Sequence, residues 1–208
     1  MTVSWAVVGH HRRLLAATDL AHQLSAVVTV DDGTLGATSN HLKAWDATST
    51  MDADWAGVAE DDAQPVDGFH DQLAAALPHA PAPVISLYLG RTRPKRWQDR
   101  ISRALIDADR ANACWLTGSH ILHAVTVLIR TELREDWLDF AQTNSRPIDE
   151  RLTAWCLARS HDVAYTWPSL VEHADGPTLI DHTGQPAGRR IAWRTGTRPT
   201  WTTRAVKL

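Results

Sequence analysis

Apolar runs and amphipathic stretches take turns along the first half of the chain. Val3-Ser4-Trp5-Ala6-Val7-Val8 is nearly all apolar and predicts a buried strand, and residues 12–24 have the spacing of an amphipathic helix. Residues 26–30 predict a second strand ending in Asp31-Asp32-Gly33, and residues 38–47 a helix with Leu42 and Trp45 turned to the core. Residues 55–59 predict a third strand that runs straight into Glu60-Asp61-Asp62, followed by a helix over 67–77. A fourth strand over 84–89 and a helix over 94–108 complete the series. Strands separated by helices imply βαβ units and a mostly parallel sheet. The expected fold class is therefore α/β, with helices flanking a mostly parallel central sheet in a single domain.

The second half is less regular. Residues 124–130 alternate like a strand and residues 132–140 predict a short helix. Asn144-Ser145-Arg146-Pro147 is a turn, and residues 149–159 predict a helix with an acidic start. A short strand over 163–165 leads into Trp167-Pro168-Ser169-Leu170-Val171-Glu172-His173. The remainder, rich in Gly, Pro, Thr and Arg, reads as a loop-dominated tail.

Composition fits this picture. Hydrophobic residues make up 44% and charged residues 22% of the 208, ordinary for a globular chain with one buried core. No apolar run approaches the roughly 18 residues that span a bilayer, and the first strand lacks the basic region and cleavage site of a signal peptide. Cys114 and Cys156 have neither ligand spacing nor a disulfide framework. Together these features point to the cytoplasm and away from a membrane.

Charge is split unevenly. Residues 1–90 hold three basic residues against eleven acidic ones, whereas residues 91–103 hold six basic against one acidic and residues 188–208 six against none. Such basic stretches attract phosphate-rich partners, and a solvated helix face or tail would look the same. Arg93, Arg96 and Trp97 in the first stretch, with Trp193 and Trp201 in the second, combine cations and aromatic rings in the manner of a polyanion grip.

The acidic triplet is the sharpest chemical signal. In open α/β sheets ligands bind beyond the carboxyl ends of the strands, and Glu60, Asp61 and Asp62 arrive there together. Adjacent carboxylates repel one another unless a cation sits among them, and hard oxygen ligands suit Mg²⁺ or Mn²⁺ holding a diphosphate. An acidic turn would carry the same residues. His10-His11-Arg12-Arg13 and Asp31-Asp32-Gly33 end the first two strands, so they belong at the same edge of the sheet. Arg can pair with phosphate and a carboxylate with a ribose or base.

At this point the chain resembles a known family. Gly36-Ala37-Thr38-Ser39-Asn40-His41-Leu42-Lys43-Ala44-Trp45 is similar to the glycine, (Ser/Asn)-His, Trp pattern of lipopolysaccharide-type glycosyltransferases with a GT-A fold. There the segment precedes a strand ending in Glu-Asp-Asp, where Val58-Ala59-Glu60-Asp61-Asp62-Ala63 stands here. Arg146-Pro147-Ile148-Asp149 looks like the family's Pro-(Val/Ile)-Asp before a helix, and Pro168-Ser169-Leu170-Val171-Glu172-His173 resembles its closing segment. The likeness runs over residues 3–182, implying a GT-A domain over 1–182 and a basic tail over 183–208, packed on the domain or extending from it.

By position, the resemblance implies a DxD-like motif of Glu60 and Asp62, with His173 completing a site for Mn²⁺ or Mg²⁺. Asp149 would be the base that takes the acceptor's proton, its ionised form favoured by the helix N-terminus; a plain helix cap would read alike. Arg13, Asp31, Asn40, Lys43 and Asp61 are expected to contact a nucleoside-diphosphate sugar, with a UDP-sugar foremost. Arg93, Arg96 and Trp97 are expected to bind the acceptor. The expected activity is transfer of the sugar to an acceptor hydroxyl. A hydroxymethylated pyrimidine in phage DNA is one acceptor and a glycan or protein hydroxyl another. A non-catalytic nucleic-acid or nucleotide-binding α/β module and a nucleotidyltransferase are the readings of other classes.

Overall fold

Trp5, Ala6 and Val7 are all buried, as a strand without polar alternation must be when both faces of its sheet are covered. The computed structural model describes residues 1–50, 52–174 and 189–208. The first half of the chain forms β1 (Val3–His10), α1 (Leu14–Leu24), β2 (Val27–Asp31), α2 (Ala37–Ala47), β3 (Trp55–Glu60), β4 (Ala63–Pro65), α3 (Phe69–Ala76) and β5 (Val84–Ser86). There follow α4 (Gln98–Arg110), β6 (Trp115–Gly118), β7 (Thr126–Arg130), α5 (Arg134–Gln142), α6 (Ile148–Arg159), β8 (Val163–Thr166), β9 (Val171–His173) and β10 (Ala205–Lys207).

Eight strands make one mostly parallel sheet in the order β10-β6-β8-β5-β7-β3-β1-β2, and β4 pairs with β9 in a small second sheet. β1, β2 and β3 run parallel, as do β5 and β8, while β7 is antiparallel to both β3 and β5. The fold is a single α/β domain of Rossmann-like type. One face of the sheet packs Ala6, Ala56 and Val58 against Trp45 of α2, Ile101 and Leu105 of α4, Trp137 of α5 and Trp155 of α6. The other packs Trp5, Val7 and Trp55 against Leu20 and Leu24 of α1, and Phe69 and Leu73 of α3. Side chains alternate between these two layers along each strand, as the strand period of two demands.

Gly57 is a packing necessity. A Cβ there would lie 2.5 Å from Cε3 of Trp5, so glycine lets the indole lie across the neighbouring strand. Helix ends follow local rules: α1 and α6 stop at Ser25 and Ser160, both in the left-handed region (φ 54° and 56°), whose N–H groups cap the last turn.

Several expectations are revised. The fourth strand stops at Ser86: Leu87 still donates to Thr126 O of β7, but Leu89 donates to Ser169 Oγ, outside the strands. Trp115–Gly118, not predicted as a strand, is a buried strand antiparallel to β8. Residues 189–208 are more ordered than the loop expected there: β10 pairs parallel to β6, and Trp201 is buried beside Trp115 with ring centroids 5.4 Å apart. The domain boundary expected at residue 182 lies outside the described residues. No helix among the described residues is long and apolar enough to cross a membrane.

Candidate functional site

The parallel register of β1, β2 and β3 sets Val8 beside Glu60 and His10 beside Asp31, so their carboxyl ends share one rim. Asp61 N–H donates to Val8 O and Glu60 N–H to Val125 O, which fixes the triplet's backbone between β1 and the chain entering β7.

Each acid then has a different partner. Glu60 Oε1 is 3.2 Å from Nε2 of His41, a buried side chain of α2. Asp61 accepts from the His10 N–H (3.0 Å) and from Arg13 Nη1 (3.0 Å). Asp62 Oδ2 accepts from the same Arg13 Nη1 at 2.7 Å and lies 3.4 Å from His173 Nε2. The route that delivers His173 starts at the triplet itself. β4 begins at Ala63, pairs antiparallel with β9 so that Ala63 faces His173, and Ala174 N–H donates to Asp62 O at 2.7 Å.

Burial and charge set the protonation preferences. Burial, and then the charge of Glu60, push the Asp62 carboxyl above the usual range against the pull of His173 and Arg13. Burial acts on Glu60 in the same sense, but the hydrogen bond and charge of His41, with His173 and Arg190, outweigh it and hold Glu60 low. Two neighbouring carboxyls are thus driven apart in acidity.

A cleft of about 700 Å³ opens beside them, lined among others by Glu60, His173, His41, Asp149, Arg93 and Arg96. Asp149 sits in the first turn of α6 behind Pro147 and accepts the Glu150 N–H at 2.9 Å. Its carboxyl is pushed up, by burial first and then by the charges of Glu150 and Glu60. The helix N-terminus was expected to favour the ionised form; its pull is present, but burial is the larger effect.

The structure gives three expected nucleotide contacts other work. Asp31 is buried and accepts the N–H groups of Gly33, Leu35 and Gly36, so it shapes its own loop and its pKa is lowered, chiefly by the Gly33 hydrogen bond. Asn40 is buried and donates to Gly9 O and Thr29 O, tying α2 to β1 and β2. Arg13 is committed to Asp61 and Asp62. Lys43 is exposed and does not line the cleft. Trp97 does not line it either: its ring lies 4.9 Å from His120, with the Arg100 guanidinium 5.3 Å from its centroid. Sequence reasoning missed Tyr88, His123 and Arg190, which do line the cleft. A solitary His or Tyr beside a strand carries no pattern that would have marked them.

No protein-family model matches the chain, and no curated protein matches it. Among solved structures, A197 from STIV superposes with a TM-score of 0.46 at 10% identity, over 88% of this chain and 100% of that one. The likeness is slight.

Among the described residues no three His, Cys, Asp or Glu side chains draw close enough to enclose an ion. Asp62 Oδ1 and His173 Nδ1 are nonetheless buried without a hydrogen-bond partner among the described residues. Such atoms cost free energy unless a ligand binds them. A carboxylate oxygen and an imidazole nitrogen are donor types that suit Mn²⁺ or Mg²⁺, although they do not close around an ion among the described residues.

Proposed function

We propose that this protein is a metal-dependent glycosyltransferase that moves a sugar from a nucleoside-diphosphate sugar, a UDP-sugar foremost, to an acceptor hydroxyl. The observation that supports this most is the meeting of Asp62 and His173 at the sheet rim, each with a buried atom that has no hydrogen-bond partner among the described residues, beside a cleft that His173, Glu60 and Asp149 line.

Asp62 and His173, with Glu60 beside them, would hold Mn²⁺ or Mg²⁺, which would neutralise the diphosphate as it leaves. His41 holds Glu60 ionised and oriented. Arg93, Lys95, Arg96 and Arg190 line the cleft and bring positive charge to its mouth, where it stabilises charge developing on the phosphates. Asp149, in its ionised form, takes the proton of the acceptor hydroxyl. Burial makes it a stronger base than an exposed aspartate.

The same basic mouth supports a polyanionic acceptor, and a hydroxymethylated pyrimidine in DNA combines a hydroxyl with phosphates. A glycan or protein hydroxyl is the alternative acceptor. The cytoplasm, a phage host's included, supplies nucleotide sugars. One observation favours a different class: Arg13 already neutralises Asp61 and Asp62, as in a non-catalytic nucleotide- or nucleic-acid-binding module whose acids are structural.

Mass spectrometry after incubation with Mn²⁺, a panel of nucleotide sugars and both hydroxymethyl-DNA and glycan acceptors separates these readings. A hexose mass added to one acceptor supports the transferase. Unmodified acceptors with salt-sensitive DNA binding support the module, and pyrophosphate released from a nucleoside triphosphate in a parallel incubation identifies a nucleotidyltransferase.

A further inference from the structure

Tyr88 and Gly90, on the segment leaving β5, and His123, just before β7, lie along one wall of the cleft. The two rings meet edge to face, with centroids 5.0 Å apart and planes at 76°. A side chain at position 90 would collide with both. A Cβ built there lies 2.8 Å from His123 Nε2 and 2.9 Å from Tyr88 Oη. Gly90 is not among the glycines with positive φ, so any L-residue could adopt its backbone. Glycine at this position lets both rings pack against its backbone, which brings two polar atoms to the same stretch of the cleft wall. One of them, His123 Nε2, is buried without a hydrogen-bond partner among the described residues.

Both groups are electrically neutral at physiological pH. Burial holds the His123 imidazole down at about 4 and pushes the Tyr88 phenol well above its ordinary value. A phosphate would find no cation in this pair. A hydroxyl, which both donates and accepts, matches an imidazole and a phenol directly.

We propose that Tyr88, Gly90 and His123 form a subsite for a neutral hydroxyl of the sugar carried by the nucleotide, an inference that rests on the transferase reading. Gly90 lets the two rings close on its backbone, and His123 Nε2 and Tyr88 Oη hydrogen-bond the sugar. The subsite lies beside the metal side of the cleft, since the Tyr88 ring is 6.1 Å from that of His173. It thereby adds recognition of the sugar to recognition of the diphosphate.

The test is isothermal titration with UDP, UDP-glucose, UDP-galactose and UDP-N-acetylglucosamine in saturating Mn²⁺. It compares the natural protein with Tyr88→Phe, His123→Leu and Gly90→Ala. Tyr88→Phe removes a single oxygen, and thermal unfolding confirms that it folds. For at least one UDP-sugar, the ratio of its affinity to that of UDP falls about fivefold or more in each variant, the equivalent of one net hydrogen bond. UDP affinity itself stays within about twofold of the natural protein. Unchanged ratios in the variants overturn the subsite while leaving the transferase reading intact. Failure of UDP to bind the natural protein overturns that reading, and the subsite with it.

Discussion

His173 Nε2 stands 3.4 Å from Asp62 Oδ2 because the β4–β9 pairing lays His173 against Ala63, the residue after Asp62. The small second sheet therefore works as a clamp: it begins where the large sheet's third strand ends and returns an imidazole to that end. Backbone pairing, which tolerates most side chains, fixes the separation of two candidate ligands.

His41 is expected to act on the site through Glu60, which it holds at 3.2 Å. Removing such a supporting partner commonly weakens metal binding about 10–100-fold. His41→Ala should show that loss in Mn²⁺ titrations, with UDP affinity in the absence of metal unchanged.

Arg13 serves the fold in this structure, bridging Asp61 and Asp62, whose side chains are only 8% and 13% exposed. Arg13→Met leaves two nearly buried carboxylates facing each other. The expected destabilisation is about 2–4 kcal/mol, less than for a fully buried pair because Arg13 itself is partly solvated. Urea unfolding measures it. Unchanged stability with weakened UDP binding would return Arg13 to the phosphate-contact role that its sequence position suggested.

Asp149 should set the acid limb of the pH–rate profile. Its carboxyl is raised by burial and by the charges of Glu150 and Glu60, so it stays protonated to higher pH than an ordinary aspartate. As the base must be ionised, kcat/KM should rise with pH through a midpoint above the usual aspartate range. Asp149→Asn should abolish this limb and lower kcat by about 10²–10⁴-fold, leaving UDP affinity unchanged.

Gly57→Ala tests packing without touching chemistry. The added methyl meets the Trp5 indole at 2.5 Å, and overpacking of this kind costs about 1–3 kcal/mol. Denaturant unfolding should show that loss while UDP binding persists in the folded fraction.

The legible parts of the fold were those with enough residues to show a period. β1 and β3 are long apolar runs, and α4 buries Ile101, Ala104, Leu105 and Ala108 at helical spacing. β4, β9 and β10 have three residues each, too few for alternation to show. β6 is buried at Trp115, Leu116 and Gly118 and has no polar rhythm to mark it. At the site, the acids stood out because strand ends concentrate ligands, whereas His173 was indicated only by the family resemblance. Asp31 and Asn40 misled for a physical reason: the groups that suit a ribose also suit backbone N–H and C=O groups, and here the backbone claims them. His123 and Tyr88 carry no local pattern; only the fold brings them to Gly90.

The most direct test of the central claim is calorimetric titration of UDP into the natural protein and into Asp62→Ala, each with and without Mn²⁺. UDP should bind the natural protein tightly only with the metal, and Asp62→Ala should lose that increment, on the order of 100-fold, the scale of removing one electrostatic stabiliser. Equal UDP affinity with and without Mn²⁺ in the natural protein, unaltered by Asp62→Ala, would contradict it.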